Sequence, residues 1–466
     1  MTLSAKAWRS VPLGQIADVR LGKMLDKVKH LKGRRLPYLR NVNVRWGTVE
    51  TDDLREMYFE DDELERYGLR AGDVLVCEGG EPGRASVWDG RLPGLKYQKA
   101  IHRVRFNEAF EPRLLVYQLE HIAKSGGLER RFTGSTIKHL TGEAFVQLPV
   151  LVPPLAEQRL LVGEIEKQLT RLEAGMVALR RVQANLKRYR AAVLKAACEG
   201  RLVPTEAELA RKENRSYETG EQLLTRMLAE RRRSWINGKY REPASADTRS
   251  LATLPDGWAC VSIEQMIVEP LCNGVSIKGS DTPPGVRALR LSAMSDSGFD
   301  YSDARFLPLA DEDVDDLWIR GGDFFIARGN GSLHLVGRGT EAQDPPRKTI
   351  FPDTMIRLRL CEDAQKTHWV STVWPSRVVR AQIERKVKTT AGIYKIAQPQ
   401  VAQIVIPLPP FAEQLRIVAE VERRLSVIDE LQTVVMANLQ RATRLRQSIL
   451  ERALSGRLIS NDASPK

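Results

Sequence analysis

Two regions of this sequence contain polar and basic side chains on predicted turns or irregular segments. These side chains are of types that can form hydrogen bonds with the edges of DNA bases. Arginine can form two hydrogen bonds with guanine, and asparagine can form two with adenine. Each residue taken singly also fits a solvated turn, so the pattern indicates a binding surface without fixing its contacts. The candidates are Arg40, Asn41, Asn43, Arg45 and Lys138 in the first half of the chain and Arg290, Ser292, Arg328, Asn330 and Lys395 in the second.

Glycines accompany the candidate residues in both halves: Gly79 and Gly80 in the first, and Gly329 and Gly331 in the second. A glycine lets another backbone approach closely, because it has no Cβ atom. A tight hairpin turn explains the same glycines equally well. The sequence leaves both interpretations open.

The motifs of several enzyme classes are absent from the sequence. It contains no nucleotide-binding P-loop, no glycine-rich dinucleotide motif, no zinc-protease motif and no serine-hydrolase elbow. The 6 histidines are scattered, and the 5 cysteines form no Cys-x-x-Cys pair. We therefore expect no catalytic residue and no metal site in this chain.

Two short patterns resemble catalytic motifs. Three Pro-Pro strings, at 152–155, 344–347 and 408–411, are similar to the motif of amino-methyltransferases, but each lacks its polar residue or its aromatic ring. Asp353 with Glu384 and Lys386 is similar to a magnesium-dependent nuclease pattern. The first half of the chain has no equivalent of the second pattern, so binding is favoured over cleavage. An autonomous nuclease is kept as an alternative.

The elements that would position the candidate residues occur twice in the chain. Residues 153–202 reappear at 409–458 without a gap, an offset of 256 residues. The preceding portions match more weakly at an offset near 250; Leu39-Arg40, for example, corresponds to Leu289-Arg290. Each half is therefore a variable module followed by a shared segment.

Each shared segment predicts one long helix. Its Pro-Pro pair suits a helix start, and Gly200 or Gly456 provides the usual C-terminal stop. Apolar residues recur every seven positions, which is the spacing of a coiled-coil seam. We expect the two helices to pair in antiparallel orientation, with packing of each apolar stripe on its own module as the alternative. The seam residues are Ile165, Leu172, Leu179, Leu186 and Val193 in the first helix and Val421, Ile428, Val435, Ala442 and Ile449 in the second.

The expected fold class is α/β, in its mixed α+β form, with two modules separated by an antiparallel coiled coil of the two long helices and related by a pseudo-twofold repeat. The run Arg231-Arg232-Arg233 in the connector is expected to be a solvated face. The expected boundaries are 1–152 for the first module, 153–204 for its helix, 205–250 for a polar, partly helical connector, 251–408 for the second module, 409–460 for its helix and 461–466 for a flexible tail.

Composition favours a polyanionic partner. The chain of 466 residues has 72 Lys plus Arg against 59 Asp plus Glu, a net charge of +13, and a pI near 9.5. Such an excess attracts nucleic acid through electrostatic steering. Because 42% of the residues are hydrophobic and no apolar stretch reaches membrane-spanning length, we expect a globular, cytoplasmic protein.

Three repeated motifs together are similar to those of the specificity subunit of type I restriction-modification enzymes. Both halves contain a Pro-Pro-x-Ala-Glu-Gln start, a Gly-Arg-Leu end and a Gly-Asp turn before a strand, at Gly72-Asp73 and Gly322-Asp323. The resemblance covers essentially the entire chain. It implies two target-recognition domains that each read one half of a bipartite, asymmetric DNA site, with helices that set the spacing.

Partners and cofactors are implied by the same resemblance. The partners are double-stranded DNA, two modification (methyltransferase) subunits docked on the helices, and restriction subunits with ATP-dependent translocase and endonuclease activity; no membrane is involved. S-adenosylmethionine, ATP and Mg²⁺ are expected on those subunits, so this chain is expected to bind no cofactor and to be no enzyme. A stand-alone DNA-binding regulator is the other alternative, which a stable complex with S-adenosylmethionine-dependent activity would exclude.

A first testable prediction concerns Arg40 and Arg290. If either arginine forms a bidentate base contact, its substitution by alanine weakens discrimination at its own half-site by roughly 1–3 kcal/mol. Binding to oligonucleotides that differ at single base pairs measures this loss. Uniform weakening on all sequences would instead assign the arginine to a phosphate.

Overall fold

The structure is a computed structural model that describes residues 8–24, 32–134, 138–235, 239–248, 253–390 and 392–458. The chain divides into two compact units. The first unit is Met1–Arg181 with Val435–Lys466, and the second is Val182–Val434. The tail expected at 461–466 lies outside the described residues.

Strands form small sheets in both units. Those of the first unit are β1 Arg9–Pro12, β2 Ala17–Leu21, β3 Arg34–Leu39, β4 Val44–Arg45, β5 Thr48–Val49, β6 Arg55–Phe59, β7 Val74–Cys77, β8 Ala85–Val87, β9 Lys96–Tyr97, β10 Ile101–Phe106 and β11 Pro149–Val152. Those of the second are β12 Ala259–Ser262, β13 Cys272–Asn273, β14 Val286–Leu289, β15 Met294–Ser295, β16 Gly298–Phe299, β17 Ala304–Leu307, β18 Phe324–Ala327, β19 Gly329–Asn330, β20 Gly339–Glu341, β21 Met355–Leu358, β22 Lys388–Thr390, β23 Ile393–Lys395 and β24 Val405–Leu408.

Short helices surround the sheets, and two long helices follow the modules. The helices are α1 Leu13–Ile16, α2 Glu63–Arg66, α3 Pro112–Lys124, α4 Gly142–Val146, α5 Leu155–Cys198, α6 Glu206–Glu213, α7 Gly220–Ser234, α8 Ile263–Met266, α9 Glu362–Thr367, α10 Trp369–Val373, α11 Arg377–Lys386, α12 Gln398–Ala402 and α13 Phe411–Leu454. None of the described helices is long and apolar enough to cross a membrane.

The two modules share one plan. A four-stranded antiparallel sheet has the order β2-β10-β7-β8 in the first unit and β13-β21-β18-β20 in the second. The strand that opens each module pairs antiparallel with the strand that leads into its long helix, β1 with β11 and β12 with β24. The internal repeat expected from the sequence is therefore present in the fold.

The central strand β7 is buried at all four positions because both faces of its sheet are covered. Val74 and Val76 face the core that includes Leu115 of α3. Leu75 and Cys77 face the opposite core. This continuous apolar run fixes the place where the chain leaves the sheet, which is the start of the glycine turn at Gly79.

The Gly-Asp turn of the repeat anchors a charged side chain of the sheet. In the first unit Arg105 donates to both carboxylate oxygens of Asp73 over 2.7 Å. In the second unit Arg359 donates to Asp323 over 2.8 and 3.0 Å. Each aspartate also accepts a backbone N–H from the first residue of its turn. The Gly-Asp motif has the same role in both modules: its aspartate closes the turn and binds an arginine of the neighbouring strand region.

The beginning of α5 packs against the end of α13 in the first unit. Ile165 and Ile449 belong to one apolar core, and further along α5 Glu173 accepts a hydrogen bond from Arg446 over 2.8 Å. Residue numbers therefore rise along α5 as they fall along α13. The two segments are antiparallel, as the sequence predicted.

The end of α5 packs against the beginning of α13 in the second unit. Val193 and Val421 share a core, and Arg190 forms an ion pair with Asp429. This ion pair repeats the one in the first unit, because each of its residues lies 256 positions from its counterpart. The repeat thus extends to a specific contact between the helices.

The residues predicted for the seam lie mainly in the interior of their units. All of them are buried except Leu172 and Leu179, which are half-buried. Gly200 and Gly456, which follow the two helices, have φ of +64° and +73°. These left-handed values explain why glycine ends both helices.

Each long helix begins with a hydrogen bond between a tryptophan and a carboxylate. The indole of Trp8 donates to Glu157, and that of Trp258 donates to Glu413, both over 3.0 Å. Glu413 also accepts the backbone N–H of Glu206 over 2.8 Å. Burial raises the pKa of the Glu413 carboxyl. The connector therefore packs on the start of α13 in the second unit.

The expectation that the arginine run in the connector is a solvated face is wrong for its first residue. Arg231 is 2% exposed. Its guanidinium lies 4.1 Å from the ring centre of Trp235 and 5.0 Å from that of Tyr240, and it donates to the carbonyls of Glu264 and Arg241. Aromatic faces and carbonyl acceptors compensate the lost hydration, so this arginine can be buried.

A stability prediction follows for the helix pair. Ile165→Ala is expected to lower the free energy of unfolding by about 2–5 kcal/mol, because the side chain is 0% exposed and its removal leaves a cavity. Val177→Ala on the same helix is the control; its side chain is 63% exposed, and its effect is expected within about 0.5 kcal/mol. Urea denaturation measures both values. Equal effects of the two substitutions would contradict the packing.

Candidate nucleic-acid interface

The first part of the candidate surface is the turn that follows β3. Residues Asn41–Asn43 form one 3₁₀ turn. The buried Asn43 accepts the backbone N–H of Arg40 over 2.9 Å, and its amide donates to the carbonyl of Asp53. The Arg40 guanidinium donates to the same carbonyl over 2.9 Å and pairs with the Asp53 carboxylate. Two predicted residues, Arg40 and Asn43, are therefore bound to one aspartate.

The corresponding turn of the second module is built in the same way. Arg290 precedes the 3₁₀ turn Leu291–Ala293 and donates to Asp303 over 3.1 Å. It also pairs with Asp281. The hydroxyl of Ser292 donates to Asp303 as well. Asp303 occupies the position of Asp53, 250 residues later, so the arginine–aspartate pair is a shared feature of the two modules.

The second part of the surface is the glycine turn after the central strand. In the first module Asn41 donates its amide to the carbonyl of Gly79 over 3.2 Å. Gly79 pairs antiparallel with His139, and the N–H of Leu140 donates to the carbonyl of Glu78 over 2.8 Å. The structure thus brings the 3₁₀ turn, the glycine turn and the segment at 138–140 together.

The second module has the same arrangement with different side chains. Gly329 pairs with Lys395, and Asn330 pairs with Tyr394. The N–H of Ile396 donates to the carbonyl of Arg328 over 2.9 Å, as that of Leu140 does to Glu78. Three predicted residues of the second half, Arg328, Asn330 and Lys395, therefore lie at one site.

The side chains of Arg328, Asn330 and Lys395 differ in how far their hydrogen-bonding groups are already occupied. The Arg328 guanidinium donates to the carbonyl of Asp353 over 3.3 Å. The Asn330 side-chain oxygen accepts the backbone N–H of Ser332 over 3.0 Å. Lys395 is exposed and forms no ion pair with the described part of the chain. Its ammonium group is therefore available to a ligand.

The other predicted residues of the first module are exposed and paired with acids. Arg45, on β4, donates to Glu50 over 3.2 Å and is 49% exposed. The ammonium of Lys138 lies 3.9 Å from Glu129, and its side chain is 57% exposed. Contacts of this kind at the surface contribute about 0–1 kcal/mol, so an anionic ligand can displace them.

Buried neutral groups support the surface of the first module from below. The ring of His102 is 0% exposed and bonds the carbonyl of Leu140 over 2.8 Å through Nε2. Burial lowers the pKa of His102, and burial raises the pKa of the Cys77 thiol, which contacts the carbonyl of Asn41. Both groups therefore stay uncharged beneath the segment that carries His139.

Sequence reasoning missed His139 and Tyr394, which share the surface with the predicted lysines. The available signal was the offset of 256, which extends without a gap from the helices back through Gln147 and Gln403 to residues 139 and 395. Positions 139 and 395 hold different residues, histidine and lysine, so sequence identity does not mark them as equivalent. Only the pairing with the glycine turn shows that the two positions are equivalent.

The patterns that resemble catalytic motifs have structural roles. Glu384 binds Arg377 and Arg380 over 2.9 and 3.1 Å. The Pro-Pro string at 152–155 lies where β11 meets α5, and the amide of Gln158 donates to the carbonyl of Pro153 over 2.7 Å. Among the described residues, no three His, Cys, Asp or Glu side chains are grouped so that they could hold a metal ion.

Several known proteins are similar to this chain over nearly its full length. No protein-family model matches. The chain is 25% identical over 463 residues to the type I restriction enzyme EcoKI specificity subunit of Escherichia coli strain K12, covering 97% of this chain and 89% of that protein. It is 22% identical over 462 residues to the StySPI specificity subunit of Salmonella potsdam, with 97% and 89% covered.

A solved chain from a type I R-M system has the same fold. The TM-score is 0.63 at 18% sequence identity, and the match covers 97% of this chain and 98% of that one. This likeness extends over both modules and both long helices. At this identity the likeness shows that the two chains share a fold.

Proposed function

We propose that this chain, which is similar to type I restriction enzyme specificity subunits, reads a two-part DNA sequence, with one module on each half. The observation that carries this proposal is the duplicated surface: the backbone contacts around Gly79 recur around Gly329, but the side chains differ. Base edges specify sequence, whereas backbone contacts only position the protein. Equivalent surfaces with unlike side chains suit two half-sites of unlike sequence.

The chain is the recognition component of its complex and not the catalytic one. We place S-adenosylmethionine, ATP and Mg²⁺ on partner subunits, two modification subunits and the restriction subunits, in the cytoplasm. The sequence supports this division of labour because it contains no P-loop and no glycine-rich dinucleotide motif. The candidate DNA contacts are the exposed predicted residues of both modules.

The long helices carry exposed apolar side chains that suit a docked modification subunit. In the second unit Val427 and Leu431 of α13 are 49% and 45% exposed, and Val182 and Tyr189 of α5 are 43% and 47% exposed. Val427 and Leu431 are four residues apart and so lie on one face of the helix. Exposed apolar patches on a helix are typical of protein interfaces.

The first prediction from this function concerns salt. The affinity for DNA is expected to fall steeply as salt rises, because lysine and arginine contacts release counterions from phosphates. Assembly with the modification subunits is expected to change little, because it depends on apolar contacts. Titration of a labelled duplex between low and moderate salt measures the first, and sedimentation measures the second. A flat salt response of DNA binding would contradict the proposal.

The second prediction concerns docking. Leu431→Asp is expected to weaken assembly with a modification subunit at least tenfold, because it buries an unpaired charge at the interface. Thr433→Asp adds the same charge two residues away on an exposed position and is the control. Both variants should fold, since neither residue is buried in the chain. Equal assembly of the two variants would place the docking surface elsewhere.

A further inference from the structure

We infer that positions 139 and 395, beside the two glycine turns, are base-reading positions, and that Arg40 and Arg290 only hold the neighbouring turns. This inference rests on the proposed function. It assigns the difference between the half-sites to His139 in the first module and Lys395 in the second. It further predicts that Lys395 contacts the guanine of a G·C pair.

The two modules share one arginine–aspartate pair. Arg40 binds Asp53, and Arg290 binds its counterpart Asp303. A residue that is identical in both modules, with the same partner, cannot make the two modules prefer different bases. The Arg40 side chain is moreover only 14% exposed, so its fork of donors is already directed at the protein. Arg40 and Arg290 are therefore positioning residues.

Base preference must then come from positions where the backbone is equivalent and the side chain is not. His139 and Lys395 meet this condition, because each pairs with the first glycine of its turn. An imidazole can both donate and accept hydrogen bonds, whereas an ammonium group only donates. Guanine presents two acceptors, N7 and O6, in the major groove, and lysine is among the side chains that bond both. This chemistry gives the G·C assignment for Lys395.

The hairpin of β22 and β23 in the second module carries positive charge on one face, which indicates that this face contacts an anion or a hydrogen-bond acceptor. Lys388 of β22 lies directly opposite Lys395 of β23. Side chains at directly opposed positions point to the same face, and like charges there are destabilising. Neither lysine forms an ion pair with any residue that the structure describes. A DNA duplex on this face would remove the repulsion.

The glycines provide a test of the geometry. A Cβ added at Gly79 would lie 3.1 Å from Nδ1 of His139, so the imidazole would have to shift. A Cβ added at Gly329 would lie 3.4 Å from Cγ of Lys395, an ordinary contact distance. Neither glycine has a positive φ, so alanine suits both backbones. The two substitutions are thus matched, but only one of them moves the reading side chain.

The experiment uses the full chain assembled with its modification subunits, and it reads preference at each base pair by sequencing methylated DNA and by oligonucleotide binding. Lys395→Ala is expected to reduce discrimination at one G·C pair of one half-site by roughly 5- to 150-fold. His139→Ala and Gly79→Ala are expected to alter only the other half-site. Gly329→Ala is expected to alter neither. Lys212→Ala removes the same charge from an exposed position of α6 and is the control.

Arg40 is tested through its partner. Arg40→Ala and Asp53→Asn are expected to lower affinity for the first half-site to a similar extent, with the order of base preference unchanged. A base-reading Arg40 would instead lose preference on removal and keep it when Asp53 is neutralised. That outcome would overturn the assignment of Arg40.

Other outcomes separate this inference from the proposed function. If the unaltered complex shows no sequence preference, the proposed function itself is wrong. If it is specific, but Lys395→Ala weakens binding equally on all sequences, Lys395 contacts a phosphate and the inference is wrong. A single substitution that changes both half-sites would also overturn it.

Discussion

The pairing of the two long helices is the interaction on which both units depend. Each helix has 44 residues, a length of about 66 Å at 1.5 Å per residue, so neither can bury its apolar stripe on one small module. The antiparallel partner covers that stripe in each unit. The repeated ion pairs, Arg446 with Glu173 and Arg190 with Asp429, are partly exposed and contribute about 0–1 kcal/mol each. Apolar burial therefore provides the stability, and these pairs contribute mainly to register.

Within each module the fixed parts and the variable parts are separated. The Gly-Asp turn, its arginine and the arginine–aspartate pair beside the 3₁₀ turn are the same in both modules. They surround a glycine turn whose first glycine, Gly79 or Gly329, pairs with the returning chain in both modules but lies opposite different side chains, His139 and Lys395. This arrangement lets the surface change its chemistry without disturbing the buried sheet, because the differing positions are exposed or half-buried.

Both modules close their frame with a buried arginine of the four-stranded sheet: Arg103 pairs with Asp18 in the first module, and Arg357 pairs with Glu269 in the second. Glu269 lies between Arg357 and Arg359, and Glu269 and Arg357 are each 2% exposed. A buried ion pair is poor evidence of stability, because desolvation offsets the attraction. Arg357 lies on β21 between Cys272 of β13 and Phe325 of β18, so the pair fits a role in fixing the register of these strands. The connector adds a further constraint on this unit through Glu206 and the buried Arg231.

The sequence by itself determined the repeat, the two long antiparallel helices, their glycine stops and the mixed α/β class. These features are local or periodic, so they are visible as spacing along the chain: a heptad stripe, a Pro-Pro start, an offset of 256 residues. Three repeated motifs, the Pro-Pro-x-Ala-Glu-Gln start, the Gly-Arg-Leu end and the Gly-Asp turn, led to the family resemblance, which the sequence comparisons support over nearly the full chain.

Only the tertiary structure decided which side chains meet. Gly79 and His139 are 60 positions apart, and nothing in either local sequence indicates that they pair. Arginine is a residue type that commonly contacts bases, yet in the folded chain Arg40 forms an ion pair with Asp53. Arg231 sits in a run of charge that is typical of a solvated face, yet Trp235 and Tyr240 enclose it. Each of these contacts depends on where the chain returns after a turn, and the spacing of residue types does not encode that position.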